Sequence, residues 1–239
     1  MSNAFSSGYY MRHNARRLEH LASLGLDLWD KSVLEVGAGA GDLTSFFLDR
    51  GCAVTSVEPR PENIRLFVET FKAFQYQTPV KARLVTCDVE SLPEHVPESF
   101  DIVFCYGLLY HTADPALILQ RLADRASDLL LLETCVSVGQ AEAVNPVTED
   151  VALASQSFHG GGCRPTRSWL RSRLKALFPF VYVPATQPSH EEFPLDWTAA
   201  PQYPLTRAVF VASRRRLDLP LLRDDLPDRQ QRTAGRKPA

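Results

Sequence analysis

Apolar residues fall into short runs separated by segments of helical spacing, and the two alternate along most of the chain. The runs SVLEVG (Ser32–Gly37), AVTSVEP (Ala53–Pro59), ARLVTCD (Ala82–Asp88), FDIVFCYG (Phe100–Gly107) and DLLLLETC (Asp128–Cys135) have the length and apolar content of buried strands. Between them, Asp42–Gly51 reads as a helix closed by Gly51. Pro61–Phe74 places Ile64, Phe67, Val68, Phe71 and Phe74 on one helical face, with Pro61 in its first turn. Asp114–Ala126 is a third helix with Asp114 as N-cap and Pro115 at its first position. Thr166 caps a last helix that runs to Phe178, and the strands Phe180–Ala185 and Thr206–Ser213 follow with no helix between them.

This order predicts an α/β fold, a doubly wound and mostly parallel sheet with helices on both faces. A strand pair without a crossover helix allows one member to run antiparallel. Residues 1–213 are expected to form a single domain. The proline- and charge-rich residues 214–239 are expected to form a partly disordered tail. Segments 106–114, 137–165 and 186–205 carry neither period. Each follows a strand, so all three are expected on the rim that binds ligand, with 137–165 and 186–205 as substrate-side insertions.

Composition narrows the function classes. Twenty-six Lys and Arg against 28 Asp and Glu give a net charge of −2, no argument for nucleic acid or an anionic surface. The five cysteines form no CxxC pair, as suits a reduced cytoplasmic protein. The N-terminal residues show no apolar core of a secretory signal, and the run Ile102–Tyr110 is too short to span a bilayer.

The candidate chemistry lies in VLEVGAGAGDLT (Val33–Thr44). Its glycines, Gly37, Gly39 and Gly41, fit neither G-x-G-x-x-G nor the phosphate loop G-x-x-x-x-G-K-[ST] in any register. Asp42 stands at the helix start, where a carboxylate repels a pyrophosphate, so the ligand is expected to carry no phosphate there. Glu58 ends the second strand, placed to accept from both ribose hydroxyls, and Asp88 ends the third, placed to accept from an adenine amino group.

VLEVGAGAG, the acid after strand two, CDV after strand three and FDIVFCYGLLYHTADP on strand four together resemble the class I S-adenosylmethionine-dependent methyltransferases. The resemblance covers roughly residues 32–136. It implies strand order 3-2-1-4-5-7-6 in a seven-stranded, Rossmann-like sheet with strand seven antiparallel. It implies S-adenosylmethionine as cofactor and S-adenosylhomocysteine as product. Glu35, Gly37, Gly39 and Gly41 would then form the methionine-binding turn. Glu58 would hold the ribose, Asp88 with Val89 the adenine, and Tyr106 with Gly107 the floor beside the sulfonium. An N-terminal helical cover is common in such proteins; Tyr9 and Tyr10 are expected to close over the cofactor and Arg12 to meet its carboxylate. Arg16 and Arg17, alternating with Leu18, Leu21 and Leu24, are expected to face solvent.

The acceptor is expected to be a small molecule, with oxygen slightly preferred over nitrogen, and membrane or nucleic-acid partners are not expected. Methylation of tRNA or of a peptide or protein stays open as the alternative, favoured by the C-terminal arginines. A cofactor-binding protein without chemistry and a dehydrogenase with an unusual glycine turn are further readings. His111, just past strand four, is the candidate general base, and Tyr110 beside it and His190 are expected to contact the acceptor. His159, Arg164 and Arg167 near the start of the last helix are a candidate anion site for an acidic acceptor. His190, Glu191 and Glu192 share one loop, but no second ligand pair at standard spacing accompanies them, so no metal is expected. In that loop Trp197 and Phe193 are expected to wall the acceptor site, with Glu191 or Glu192 orienting a polar group. A monomer or homodimer is expected.

Overall fold

Apolar runs of six to eight residues leave little room for anything but a strand, and each of the five forms one. The computed structural model describes residues 7–73 and 81–233. Helix α1 (Gly8–Ser23) begins at Ser7, whose side chain accepts from the Tyr10 amide. Then follow β1 (Ser32–Val36), α2 (Thr44–Leu48), β2 (Ala53–Val57), α3 (Pro61–Ala73), β3 (Ala82–Val85), α4 (Leu92–His95) and β4 (Phe100–Tyr106). Phe74, the last residue of the predicted apolar face of α3, lies outside the described residues. A single 3-10 turn (Leu109–His111) precedes α5 (Pro115–Ala123), which Asp114 caps by accepting from the Leu117 amide. β5 (Ala126–Cys135) leads to the hairpin of β6 (Val144–Thr148) and β7 (Gly161–Pro165). The segment 137–165 is therefore not devoid of regular structure: its two arms pair, although their alternation is too weak to read as strands. Helix α6 (Arg167–Leu177) is capped by Thr166 and followed by β8 (Phe180–Pro184), β9 (Thr186–Gln187), β10 (Arg207–Ser213), β11 (Leu222–Arg223) and β12 (Gln231–Arg232).

The sheet order is β11-β8-β10-β5-β4-β1-β2-β3. β1, β2, β3, β4 and β5 run parallel, and β10 is antiparallel to both β5 and β8. The missing crossover helix before β10 has the predicted consequence. The strand count is eight rather than seven, because β11 from the supposed tail pairs antiparallel with the edge strand β8. β12 pairs with β9, so residues as far as Thr233 return to the fold and bury Leu217, Gln230 and Thr233.

Each face of the sheet carries one apolar layer. Leu34, Val103, Leu130 and Phe210 pack on the side of α5 and α6, and Val33, Phe104, Leu131 and Val209 on the side of Leu21 and Phe47. This alternation leaves the C-terminal ends of β1 to β4 as one open rim, where α/β sheets bind ligands.

Candidate active site

A cavity occupies that rim, lined by the glycine turn, the ends of β2 to β4, the inner face of α1 and the loop 149–160. Its floor is built by backbone geometry. The Gly37 and Ala38 amides donate to Val57 O at 2.9 and 3.1 Å, folding the turn over the end of β2. The Gly39 amide donates to Glu58 Oε2 at 2.9 Å. Glu58 Oε1 accepts from the Arg60 amide at 3.1 Å and from Asn63 Nδ2 at 3.0 Å, so the buried carboxylate has a fixed orientation at the cavity wall. Gly37 and Gly39 line the cavity, as do Asp88, Val89, Tyr106 and Gly107.

Two residues of the motif act elsewhere. Gly41 has φ +82°, and a Cβ there would stand 2.8 Å from the Phe67 ring. Its role is to let α3 close on the turn. Glu35 does not line the cavity but accepts from Thr44 Oγ1 at 2.5 Å and Ser56 Oγ at 2.7 Å. It ties β1 to β2 and to the start of α2. Burial pushes its carboxyl up to about 7, against the lowering effect of the two hydroxyls.

The N-terminal helix supplies a different arginine from the one expected. Tyr10 lines the cavity, but Arg12 lies at the surface, ion-paired with Glu191. Arg17, expected in solvent, is 2% exposed and lines the cavity. The buried stripe of α1 is His13, Asn14, Arg17, His20 and Leu21, a helical spacing filled mostly by polar residues, so an apolar count misses it. Arg17 Nη1 donates to Glu133 Oε2 at 2.8 Å, and Arg207 Nη1 reaches Glu133 Oε1 at 3.0 Å. Arg207 Nε also donates to Glu192 Oε2 at 2.5 Å and its Nη2 to Tyr110 Oη at 3.0 Å. Burial acts to raise the Glu133 carboxyl, but the two guanidiniums outweigh it and hold it below the usual carboxylate range. Both arginines at this end are thus already paired.

His111 lines the cavity with its Nδ1 hydrogen-bonded to Glu149 Oε2. Glu149 is itself fixed by the Ser157 amide at 2.8 Å and Arg164 Nη2 at 3.3 Å. Burial lowers the His111 pKa, and Glu149 opposes that shift. His13 also lines the cavity, but burial, Arg17 and Arg207 all drive its pKa far down, so it stays neutral. Of the two imidazoles, His111 has a carboxylate in hydrogen-bond contact that would stabilise an acquired proton, whereas the nearest carboxylate to His13, Glu192, stands 3.8 Å away and is already paired with Arg207.

The remaining expected residues divide. Tyr110 lines the cavity beneath Arg207, which stacks 4.9 Å from its ring. His159 lines it at the Asp88 end, its Nε2 3.9 Å from Asp88 Oδ2. Arg164 points at Glu149 and the Tyr110 carbonyl, and Arg167 Nη2 donates to Pro227 O, so the two do not converge as an anion site. His190 is buried behind His13, with ring centroids 4.7 Å apart, and Glu191 faces Arg12. Trp197 stacks on Arg167 and donates to Gln230 Oε1 at 2.6 Å, and Phe193 is wholly buried. Neither lines the cavity, because residues 227–230 fold back and hold Trp197 away from the rim.

Sequence reasoning missed Arg17, Glu133, Glu149, Arg207 and Arg60. Arg60 guanidinium nitrogens hold the carbonyls of Val151 at 3.1 Å and Ser157 at 2.9 Å, fastening loop 149–160 over the cavity. An arginine two residues after the strand-ending acid, in EPRPEN, was the available signal. Among the described residues no helix is long and apolar enough to cross a membrane.

A family model described as a methyltransferase domain matches residues 34–128. The ubiquinone biosynthesis O-methyltransferase of Pseudoalteromonas translucida (strain TAC 125) is 30% identical over 113 residues, covering 47% of this chain and 46% of that protein. The protein of the same name from Pseudomonas entomophila (strain L48) is 33% identical over 95 residues, 40% of this chain and 39% of its own. The chain thus spans about half the length of the curated relatives it matches. The N-terminal domain of EvdMO1 with S-adenosylhomocysteine bound superposes with a TM-score of 0.65 at 22% identity, covering 84% of this chain and 81% of that one. The 1,6-didemethyltoxoflavin-N1-methyltransferase of Burkholderia thailandensis gives 0.54 at 21% identity, over 86% and 79%. The matched segment, the strand order and the cavity at the rim agree: residues 34–128 are similar to a methyltransferase domain and lie in a Rossmann-like sheet.

Proposed function

We propose that the protein transfers a methyl group from S-adenosylmethionine to a hydroxyl of a small molecule, with His111 as general base. The observation that carries this reading is the His111–Glu149 pair at the wall of the cofactor cavity. The cavity's own groups fit the cofactor. Glu58 and Asp88 suit ribose and adenine, and Tyr106 Oη and Arg17 Nε are buried without a hydrogen-bond partner, as suits the polar amino-acid end. Arg17 takes the carboxylate role first expected of Arg12. The cofactor supplies a methyl group already activated by its positive sulfur, so the protein has chiefly to align the acceptor and remove its proton.

His111 Nε2 is placed to receive the hydroxyl proton, while the bound cofactor would give up the methyl group by cleavage of its carbon–sulfur bond and leave as S-adenosylhomocysteine. Glu149, held by Arg164 and Ser157, keeps the imidazole in the tautomer with Nδ1–H and stabilises the imidazolium. An amine acceptor would need such a base less, and with Arg17 given to the cofactor carboxylate the other arginine, Arg207, is already held by Glu133 and Glu192, which favours an uncharged hydroxyl acceptor. The curated relatives carry the name O-methyltransferase, in line with this choice. The test supplies methyl-labelled S-adenosylmethionine with panels of phenols, sugars and amines. Methyl ethers formed by the wild type and lost in His111→Ala are expected; labelled amines alone would overturn the hydroxyl reading.

A further inference from the structure

Behind the acceptor end of the cavity, His13, His190 and Glu192 bring one ligand atom each within 4.8 Å of one another. We infer that this cluster is a binding site for a first-row divalent cation of the zinc type. It lies outside the machinery assigned to methyl transfer, and it does not depend on that reading. His13 comes from α1, while His190 and Glu192 come from the loop after β9. A second ligand element 177 residues away in sequence is why no spacing rule could show it: 190 against 13 is no motif.

Three observations point to a ligand. First, both histidines are buried, at 3% and 2% exposure, and in each the Nε2 atom has no hydrogen-bond partner. An imidazole nitrogen shut away without a partner is costly unless something binds it. Second, the His13 Nε2 atom stands 3.8 Å from Glu192 Oε2, and the ligand atoms of all three residues lie within 4.8 Å of one another. Tetrahedral ligands about 2.0–2.1 Å from zinc stand roughly 3.4 Å apart, so small side-chain rotations close the set on an ion. Third, two imidazoles and one carboxylate are the donor set of a zinc-type ion, not of magnesium or calcium, which take oxygen.

The surroundings permit the charge. Glu192 accepts from Tyr9 Oη at 2.6 Å and Arg207 Nε at 2.5 Å, which leaves lone pairs on an ionised carboxylate. Arg12, Arg17 and Arg207 nearby are matched by Glu191, Glu133 and Glu192. The amide of Glu192 lies 3.4 Å from His190 Nδ1, a long contact that metal binding at Nε2 would give up. Three protein ligands leave a position for water or a hydroxyl.

The experiment uses the full chain without a histidine tag, stripped by chelator, and titrates it with Zn2+ and, for its visible absorption, Co2+. One ion per chain is expected, with Co2+ bands of nitrogen and oxygen ligation. His190→Gln, which keeps the bulk of the side chain, is expected to weaken binding at least about tenfold. His13→Ala should do the same. Melting curves of the metal-free variants report whether each is folded, and either folded variant suffices for the comparison. No saturable binding near one equivalent in the wild type overturns the site. So does binding unchanged in His190→Gln or His13→Ala.

Discussion

At the scale of single residues, the chemistry turns on which imidazole can hold a proton. His111 has Glu149 at its Nδ1, and His13 has two guanidiniums close by. The base is active when neutral, so turnover should appear as pH rises through a His111 pKa that burial sets below the usual value of about 6.5. Glu149→Gln removes the interaction that raises this pKa. The acid limb of the kcat profile should therefore move to lower pH while kcat itself falls; a limb that stays in place would mean that Glu149 only packs. Losing the base outright in His111→Ala should cost kcat roughly a hundredfold or more, with a smaller effect on KM. Glu35 offers a separate test, of stability. Its folded carboxyl titrates at about 7, above the ordinary value, so the folded state keeps a proton that the unfolded state has lost. The stability this contributes is present at acid pH and lost as pH rises through about 7, a change on the order of 3 kcal/mol. Glu35→Gln should flatten that slope in melting curves taken from pH 4 to 8; an unchanged slope would assign it to other groups.

At the scale of elements, the apolar runs and caps were legible because each strand and helix carries its own signal. Asp114 and Thr166 cap their helices through their own side chains, an interaction three residues long. What could not be read is long-range. Arg17 is buried because Glu133, 116 residues away, stands opposite it, and nothing local in α1 says so. β6 and β7 pair although their alternation is weak, and Glu149 meets His111 only because that hairpin crosses the rim. Gly37 and Gly39 of the glycine turn line the cavity, but Gly41 packs against Phe67 on α3. Gly41→Ala should accordingly lower stability by about 1–3 kcal/mol, from the clash and the left-handed φ. S-adenosylhomocysteine affinity in the folded fraction should change little, measured by denaturant titration alongside calorimetry.

At the scale of the whole molecule, one buried ion network joins parts that are distant in the chain. Glu133 on β5, Arg17 on α1, Arg207 on β10 and Glu192 in the loop after β9 meet beside the cavity. Removing one partner leaves buried charges unpaired, so Arg207→Ala should cost about 3–5 kcal/mol and loosen α1 together with the 186–205 loop. Hydrogen exchange would show both segments opening together; loss confined to β10 would argue against a shared network. The mostly parallel α/β sheet followed from sequence alternation and its order from the family resemblance, whereas the return of residues 217–233 followed from neither, because their charge and proline content gives no hint of the partners they find at β8 and β9. That return holds Trp197 against Gln230, away from the cavity, which is lined on that side by Tyr10, His13 and Arg17 of α1.

The most direct test of the central claim is a calorimetric titration of S-adenosylhomocysteine, and in parallel NAD, into the wild type and Glu58→Gln. One S-adenosylhomocysteine per chain, no NAD binding, and an affinity roughly tenfold to a hundredfold weaker in Glu58→Gln are the predicted results. NAD binding without S-adenosylhomocysteine binding, or no binding of either, would contradict the assignment of the cavity and the methyl-transfer chemistry built on it.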